Sequence, residues 1–248
     1  MAQRLRICHL YPDLMDTYGD KGNIITLIKR CQWRGIEATV STISVGDKLD
    51  SEKYDIYFFG GGQDRAQLIV GKDLKSKAKA LKEAVERGAT LLSICGGYQL
   101  LQNYFKTLNG IVIEGIGLFD AHTIGSTTRM IQNLLVELNP NLQNEIKDHK
   151  YLVGFENHSG KTYLGKTLQP LGKVLKGAGN NGEDGTEGAV YKNAFGCYLH
   201  GSLLPKNPHF ADFLISKALT HKNNNFKLKP LNNDFEWQAH HSAVGQIS

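Results

Sequence analysis

Two short apolar runs in the first hundred residues each end abruptly in glycine. Tyr54–Phe59 is closed by Gly60-Gly61-Gly62, and Thr90–Ile94 runs into Cys95-Gly96-Gly97. Unbroken apolar runs of this length fit strands buried on both faces. Segments with helical spacing lie around them. Asn23–Arg34 places Ile24, Leu27, Ile28 and Cys31 on one face, and Leu74–Arg87 does the same with Leu74, Ala78, Leu81 and Val85. Gly35 and Gly88 stop these two helices. Leu5–Leu10 and Ile36–Ile43 read as further strands, and Gly97–Phe105 as a helix. Alternating strands and helices of this kind build a parallel sheet covered on both faces.

The second half changes character. Met130–Leu138, Tyr151–Phe155, Thr162–Tyr163, Val174–Leu175, Gly188–Tyr191 and Phe195–His200 are short strand-like runs separated by glycine, asparagine and proline. They predict antiparallel or mixed strands added to the parallel core. Gly177–Gly188 reads as a polar loop, either solvated or facing a partner, and Phe210–Leu219 as a closing helix. The expectation is a single α/β domain over residues 1–222: a mostly parallel sheet with flanking helices and additional antiparallel strands in its second half. Residues 223–248 read as a polar, flexible C-terminal tail.

Composition narrows the function classes. The net charge is +5, but the lysines are scattered, and Lys75, Lys79 and Lys82 share the solvent face of an amphipathic helix. That is no nucleic-acid footprint. No apolar stretch is long enough to span a membrane, and the N-terminus lacks a signal-peptide core. The four cysteines, Cys8, Cys31, Cys95 and Cys197, show no metal-binding spacing, so no metal is expected. The expected compartment is the cytoplasm, where a particular cysteine can be catalytic.

Cys95 has the context for that. An apolar strand, a cysteine, two glycines and a helix form the layout of a nucleophile elbow. A helix N-terminus favours a thiolate, the glycines leave room for substrate, and the Gly96 N–H can face the oxygen of a tetrahedral intermediate. Cys8, Cys31 and Cys197 read as core residues. A nucleophilic cysteine needs a base. Among nine histidines, His200 and His158 are the candidates, and periodicity does not separate them. Tyr18-Gly19-Asp20-Lys21-Gly22-Asn23 lacks phosphate-loop spacing; Asp20 and Asn23 read as helix caps, and the turn, near the carboxyl ends of the strands of a doubly wound sheet, is also open to a place on the site rim.

These residues carry a resemblance. Cys95-Gly96-Gly97-Tyr98-Gln99 resembles the nucleophile elbow of class I, triad-type, glutamine amidotransferases. Phe58-Phe59-Gly60-Gly61-Gly62-Gln63-Asp64 is similar to their oxyanion-strand loop, and Tyr198-Leu199-His200-Gly201 to the histidine strand of the CobB/CobQ-like branch. Leu10–Asn23, Gly154-Phe155-Glu156-Asn157-His158 and His200–Asn207 look like the glutaminase subunits of lipid II isoglutaminyl synthases. The resemblance spans roughly residues 4–220.

The resemblance implies Cys95 as nucleophile, His200 as base, and Gly62 (or Gly61) and Gly96 as oxyanion-hole donors. It also implies Gln99 and Arg129 as glutamine-binding residues. Where many class I enzymes carry a glutamate two residues after the histidine, this chain has Ser202. The pair then works as a dyad, or the carboxylate comes from a partner. The implied partner is a Mur-ligase-like synthetase subunit of the MurT type, forming a heterodimer and holding ATP and magnesium. This chain would then need no cofactor of its own, and would be a weak glutaminase until bound. The ammonia would amidate the D-glutamate of lipid II, at the inner face of the membrane. Three alternatives stay open: another acceptor such as a cobyrinic acid, a stand-alone thiol hydrolase of γ-glutamyl bonds, and a non-catalytic binding subunit.

Overall fold

The computed structural model describes residues 3–147, 149–222 and 226–247. The strands are β1 (Arg4–Leu10), β2 (Glu37–Ile43), β3 (Ile56–Phe59), β4 (Thr90–Ile94), β5 (Tyr104–Lys106), β6 (Val112–Glu114), β7 (Ala121–Leu138), β8 (Tyr151–Leu164), β9 (Gly172–Lys176), β10 (Thr186–Glu187), β11 (Ala189–Tyr191) and β12 (Ala194–Cys197). The helices are α1 (Lys21–Gln32), α2 (Asp64–Glu86), α3 (Gly96–Leu100), α4 (Pro140–Ile146), α5 (Leu203–Lys206), α6 (Pro208–Lys222) and α7 (Asp234–Ile247).

Two six-stranded sheets organise the chain. The first runs β11-β12-β4-β3-β1-β2 and is parallel except at β11. Alternate side chains of β3 enter two cores. Ile56 and Phe58 pack with α1 and α6 residues such as Leu27 and Phe210, while Tyr57 and Phe59 pack with Val70, Leu74 and Leu81 of α2. This is the fold class read from the sequence, with helices on both faces of a mostly parallel sheet.

Register then sets the site. Leu10 pairs with Phe59, Phe59 with Ser93, and Ile94 with Cys197. The carboxyl ends of β1, β3, β4 and β12 therefore lie level, and the segments that follow them converge at one edge. Ligand sites of open α/β sheets form at this edge.

The second sheet orders β10-β9-β7-β5-β6, with β8 on the other side of β7. Its longest pair, β7 with β8, is antiparallel, and its register shifts between Gly125 and Met130. Four expectations change here. Tyr151–Phe155 and Thr162–Tyr163 are one strand, β8. The elbow helix stops at Leu100, because Tyr104–Lys106 pairs with both β6 and β7. α2 begins ten residues before Leu74 and runs through Gly71, whose missing side chain admits Ile113 and Leu100; a Cβ there would sit 3.1 and 3.3 Å from them. The Gly177–Gly188 loop folds inward, with Asn180 and Asn181 buried.

The tail also differs from its reading. Residues 223–225 and 248 lie outside the described residues, but α7 packs on α5, β7 and β8. Buried Arg30 donates to Asp212 Oδ1 at 2.6 Å and to Asn233 Oδ1 at 2.8 Å, and Trp237 stacks on His149 at 3.6 Å between ring centroids. Ala243 and Val244 of this helix also pack on Leu135 and Val153.

Candidate active site

Cys95 sits where β4 turns into α3, with φ 48° and ψ −106°. A positive φ is strained for any side-chain-bearing residue and costs about 1–3 kcal/mol unless its surroundings enforce it. Here they do. The Cys95 N–H donates to Cys197 O at 2.8 Å, the Gly97 N–H to Gly60 O at 3.1 Å, and the Gln99 N–H to Cys95 O at 2.9 Å. The two glycines are needed for close approach. A Cβ on Gly96 would lie 2.8 Å from Gly62 N, and one on Gly97 would lie 2.6 Å from Phe59 O. The oxyanion-strand loop and the elbow therefore touch through bare backbone, with the Gly62 N–H beside Gly96. The Gly61 N–H is already committed: it donates to Asp20 Oδ2 at 2.6 Å.

His200 follows β12 at the same edge. Its N–H donates to Phe155 O at 2.7 Å, and its carbonyl accepts from the Phe155 N–H at 3.2 Å, which fixes the backbone against β8. The ring is fully buried, Tyr18 meets it edge-on at 5.0 Å between centroids, and neither ring nitrogen has a completed hydrogen bond. Burial works against the charged form, but Cys95 and then Asp20 outweigh it and raise the pKa from 6.5 to about 10. Asp20 Oδ1 lies 3.6 Å from His200 Nδ1.

Asp20 is thus not the helix cap expected of it. Its side chain makes no capping bond; Asp16 Oδ1 accepts from the Lys21 N–H instead, at 2.7 Å. Asn23 does not cap either. Its Oδ1 accepts from the buried Leu204 N–H at 2.9 Å, tying α1 to α5. Ser202 Oγ donates to Gly19 O, which joins the loop after His200 to the loop that carries Asp20.

The rival histidine separates from His200 clearly. His158 stacks face to face on Tyr198 at 3.7 Å, and its Nδ1 is 2.9 Å from Gly160 O. It lines the pocket wall while His200 stands against the thiol. Gln99, expected to hold glutamine, spends both ends of its amide on the protein. Its Oε1 accepts from Gln67 Nε2 and its Nε2 donates to Tyr198 OH, each at 3.0 Å. Tyr198 OH also lies 2.7 Å from Thr162 Oγ1. Gln99 therefore braces the floor under the elbow. The Tyr18–Asn23 turn, open to a place on the site rim, does lie there, with Tyr18 lining the pocket and Asp20 buried behind it; Gln67 of α2 carries no signal in the sequence that marks it as a site residue.

Arg129 lies in the register shift of β7, and a bulge there re-aims a side chain. Its Nε donates to Asn157 Oδ1 at 2.8 Å and its Nη2 to Tyr18 OH at 3.2 Å. It stands exposed on the rim of a cavity of about 580 Å³ whose walls include Cys95, Gly62, Gln99 and His158. That volume suits a ligand of amino-acid size or larger. Among the described residues no cluster of three or more His, Cys, Asp or Glu side chains is placed to hold a metal ion, and no helix is long and apolar enough to cross a membrane.

A strained cysteine elbow, a histidine on a neighbouring strand end and a glycine loop between them form an arrangement suited to a nucleophilic thiol, and comparison with known proteins gives the family. The chain belongs to the CobB/CobQ-like glutamine amidotransferase family, whose domain matches residues 6–208. It is 42% identical to the GatD subunit of the glutamine-hydrolysing lipid II isoglutaminyl synthase of Streptococcus pneumoniae, over 88% of this chain and 82% of that one. It is 40% identical to the GatD subunit of Staphylococcus aureus, over 95% of this chain and 93% of that one. A glutamine amidotransferase structure from Thermotoga maritima shares the fold, with a TM-score of 0.55 at 15% identity over 98% of this chain and 91% of that one.

Proposed function

We propose that this chain is the glutaminase subunit of a lipid II isoglutaminyl synthase. The observation that carries the reading is the convergence of the Cys95 elbow and the Gly62 backbone at one pocket rimmed by Arg129, with His200 buried against the Cys95 thiol. Strong identity to the two GatD subunits supports the choice of acceptor.

In this mechanism the glutamine α-carboxylate pairs with the planar fork of Arg129, which places the side-chain amide over Cys95. The thiolate attacks the amide carbon. The N–H groups of Gly62 and Gly96 hold the developing oxyanion, and each such donor is worth about 10²–10³ in rate. His200 takes the thiol proton and returns it to the leaving nitrogen, so ammonia departs and a γ-glutamyl thioester remains on Cys95. His200 next takes a proton from water, which attacks the thioester and releases glutamate.

The ammonia passes to a Mur-ligase-like synthetase of the MurT type in a heterodimer. That partner holds ATP and magnesium, activates the α-carboxyl of the D-glutamate in lipid II, and yields D-isoglutamine. The complex works in the cytoplasm at the inner face of the membrane.

The test is reconstitution. Co-expression with a Mur-ligase-like synthetase is expected to give a stable complex that amidates lipid II with glutamine and ATP, and neither chain alone does so with glutamine. Glutamine hydrolysis without lipid II amidation by the complex would leave a glutaminase but remove this acceptor.

A further inference from the structure

Tyr18 holds φ 55° and ψ 32°, a left-handed conformation that a bulky residue rarely adopts and that glycine would adopt freely. Its neighbours keep it there. The Thr17 N–H donates to Gly61 O at 3.2 Å, and Ser202 Oγ donates to Gly19 O. The turn is thus clasped between the oxyanion-strand loop and the loop after His200, with Tyr18 47% exposed on the pocket wall. A strained, half-exposed tyrosine, where glycine would fit without strain, points to a task for the side chain.

That side chain joins two functional groups. Its ring meets the buried His200 ring in a T-shaped contact, 5.0 Å between centroids, and its hydroxyl accepts from Arg129 Nη2 at 3.2 Å. Asn157 Oδ1 accepts from Arg129 Nε at 2.8 Å. The Nε–Nη2 edge of the guanidinium is thereby occupied, and the Nη1–Nη2 edge is left to take a carboxylate end-on. Arg65 lines the same pocket, but among the described residues no hydrogen bond or ion pair holds its guanidinium in one direction.

We propose that Tyr18 is a specificity-determining positioning residue of this site. Packed on His200 at one end and bonded to Arg129 at the other, it sets the span between the carboxylate fork and the Cys95 thiol. The inference rests on the reading of Cys95 as nucleophile and of Arg129 as partner of the glutamine α-carboxylate. The span admits a side-chain amide separated from the α-carbon by two methylenes. Asparagine, one methylene shorter, then cannot keep its carboxylate in the fork and still bring its amide to the thiol. A one-methylene difference of this kind is worth about 10- to 200-fold in discrimination.

The experiment uses the full chain and reads covalent labelling of Cys95 by peptide mass mapping. Three reagents are compared: a glutamine-mimicking diazo-ketone, the asparagine-mimicking diazo-ketone one carbon shorter, and iodoacetamide, which has no amino-acid head group. Tyr18→Phe keeps the ring and removes the hydroxyl. It is expected to raise the half-saturating concentration of the glutamine mimic by about 3- to 10-fold, and to narrow the preference for it over the shorter reagent by a similar factor. Tyr18→Gly also removes the ring, and is expected to narrow that preference by about tenfold or more. Iodoacetamide labelling changes little in Tyr18→Phe.

A folded Tyr18→Phe protein with the half-saturation and preference of the parent overturns the inference. So does a folded Tyr18→Gly protein that keeps the preference. A Tyr18→Phe protein in which iodoacetamide labelling slows as much as labelling by the glutamine mimic overturns it as well, because the change then lies in the thiol. Should Tyr18→Gly fail to fold, Tyr18→Phe decides alone. A parent chain whose Cys95 takes iodoacetamide but not the glutamine mimic refutes the glutaminase reading, and the inference with it.

Discussion

The pocket has two unlike walls. One is made by the carboxyl ends of β1, β3, β4 and β12; it presents Cys95 and Gly62 to the pocket, with His200 and Asp20 fully buried behind them. The other is the β7–β8 hairpin and carries Arg129, Asn157 and His158. The first wall is buried and locked by backbone hydrogen bonds from level strand ends. The second holds its key cation exposed, in a register shift. The proposed bond-making groups thus stand on the rigid wall, where geometry matters most, and the proposed recognition group, Arg129, on the hairpin wall.

Mutations should divide along that line. On the rigid wall, Cys95→Ala is expected to abolish ammonia release from glutamine while the thermal unfolding curve stays close to that of the parent. His200→Ala is expected to lower kcat by about 10²–10⁴-fold with KM nearly unchanged. On the hairpin, Arg129→Ala should raise KM, cutting kcat/KM by about 10- to 10²-fold through loss of a charge-assisted pair worth about 1.5–3 kcal/mol. Steady-state kinetics on the three variants settle the division. An Arg129→Ala protein with an intact KM and a collapsed kcat would erase it.

Beneath the two walls, Tyr198→Phe removes the hydroxyl shared by Gln99 and Thr162. The expected cost is about 1–3 kcal/mol in denaturant unfolding, with a smaller effect on kcat than either catalytic change.

The smallest effect lies outside the site. Burial, with His240 and His149 nearby, lowers the His209 pKa from 6.5 to about 3. The unfolded chain therefore binds the extra proton between those values. The stability from neutral His209 is complete above about pH 6.5 and is lost progressively as pH falls toward 3. Stability measured across that window should fall less steeply in His209→Asn than in the parent.

What the sequence made legible follows the same division. Thr90–Ile94 running into Cys95-Gly96-Gly97 is a local signal: strand, nucleophile, turn and helix are consecutive, so the elbow is readable without the fold. His200 needed more, because His158 has an equally suggestive context, and the two separate only when β12 is placed beside β4. Asp20 reads from the sequence as a cap on a turn that could reach the site rim, not as a neighbour of His200. It lies 180 residues before His200 and resembles a cap, and only the shared register of β1 and β12 with β3 and β4 makes them neighbours. Gln99 was legible as a site residue but not as a brace, since Gln67 and Tyr198 meet it from two other elements. β8 reads as two fragments because the polar run Glu156-Asn157-His158-Ser159-Gly160-Lys161 separates them, while its pairing to β7 carries it through.

The central claim is that Cys95 attacks glutamine in this pocket. Incubation of the full chain with a glutamine-mimicking diazo-ketone, followed by peptide mass mapping, tests it most directly. The account predicts a covalent adduct on Cys95, suppressed by excess L-glutamine and absent in Cys95→Ala. An unmodified Cys95 in the folded protein, or labelling that L-glutamine does not suppress, would contradict it.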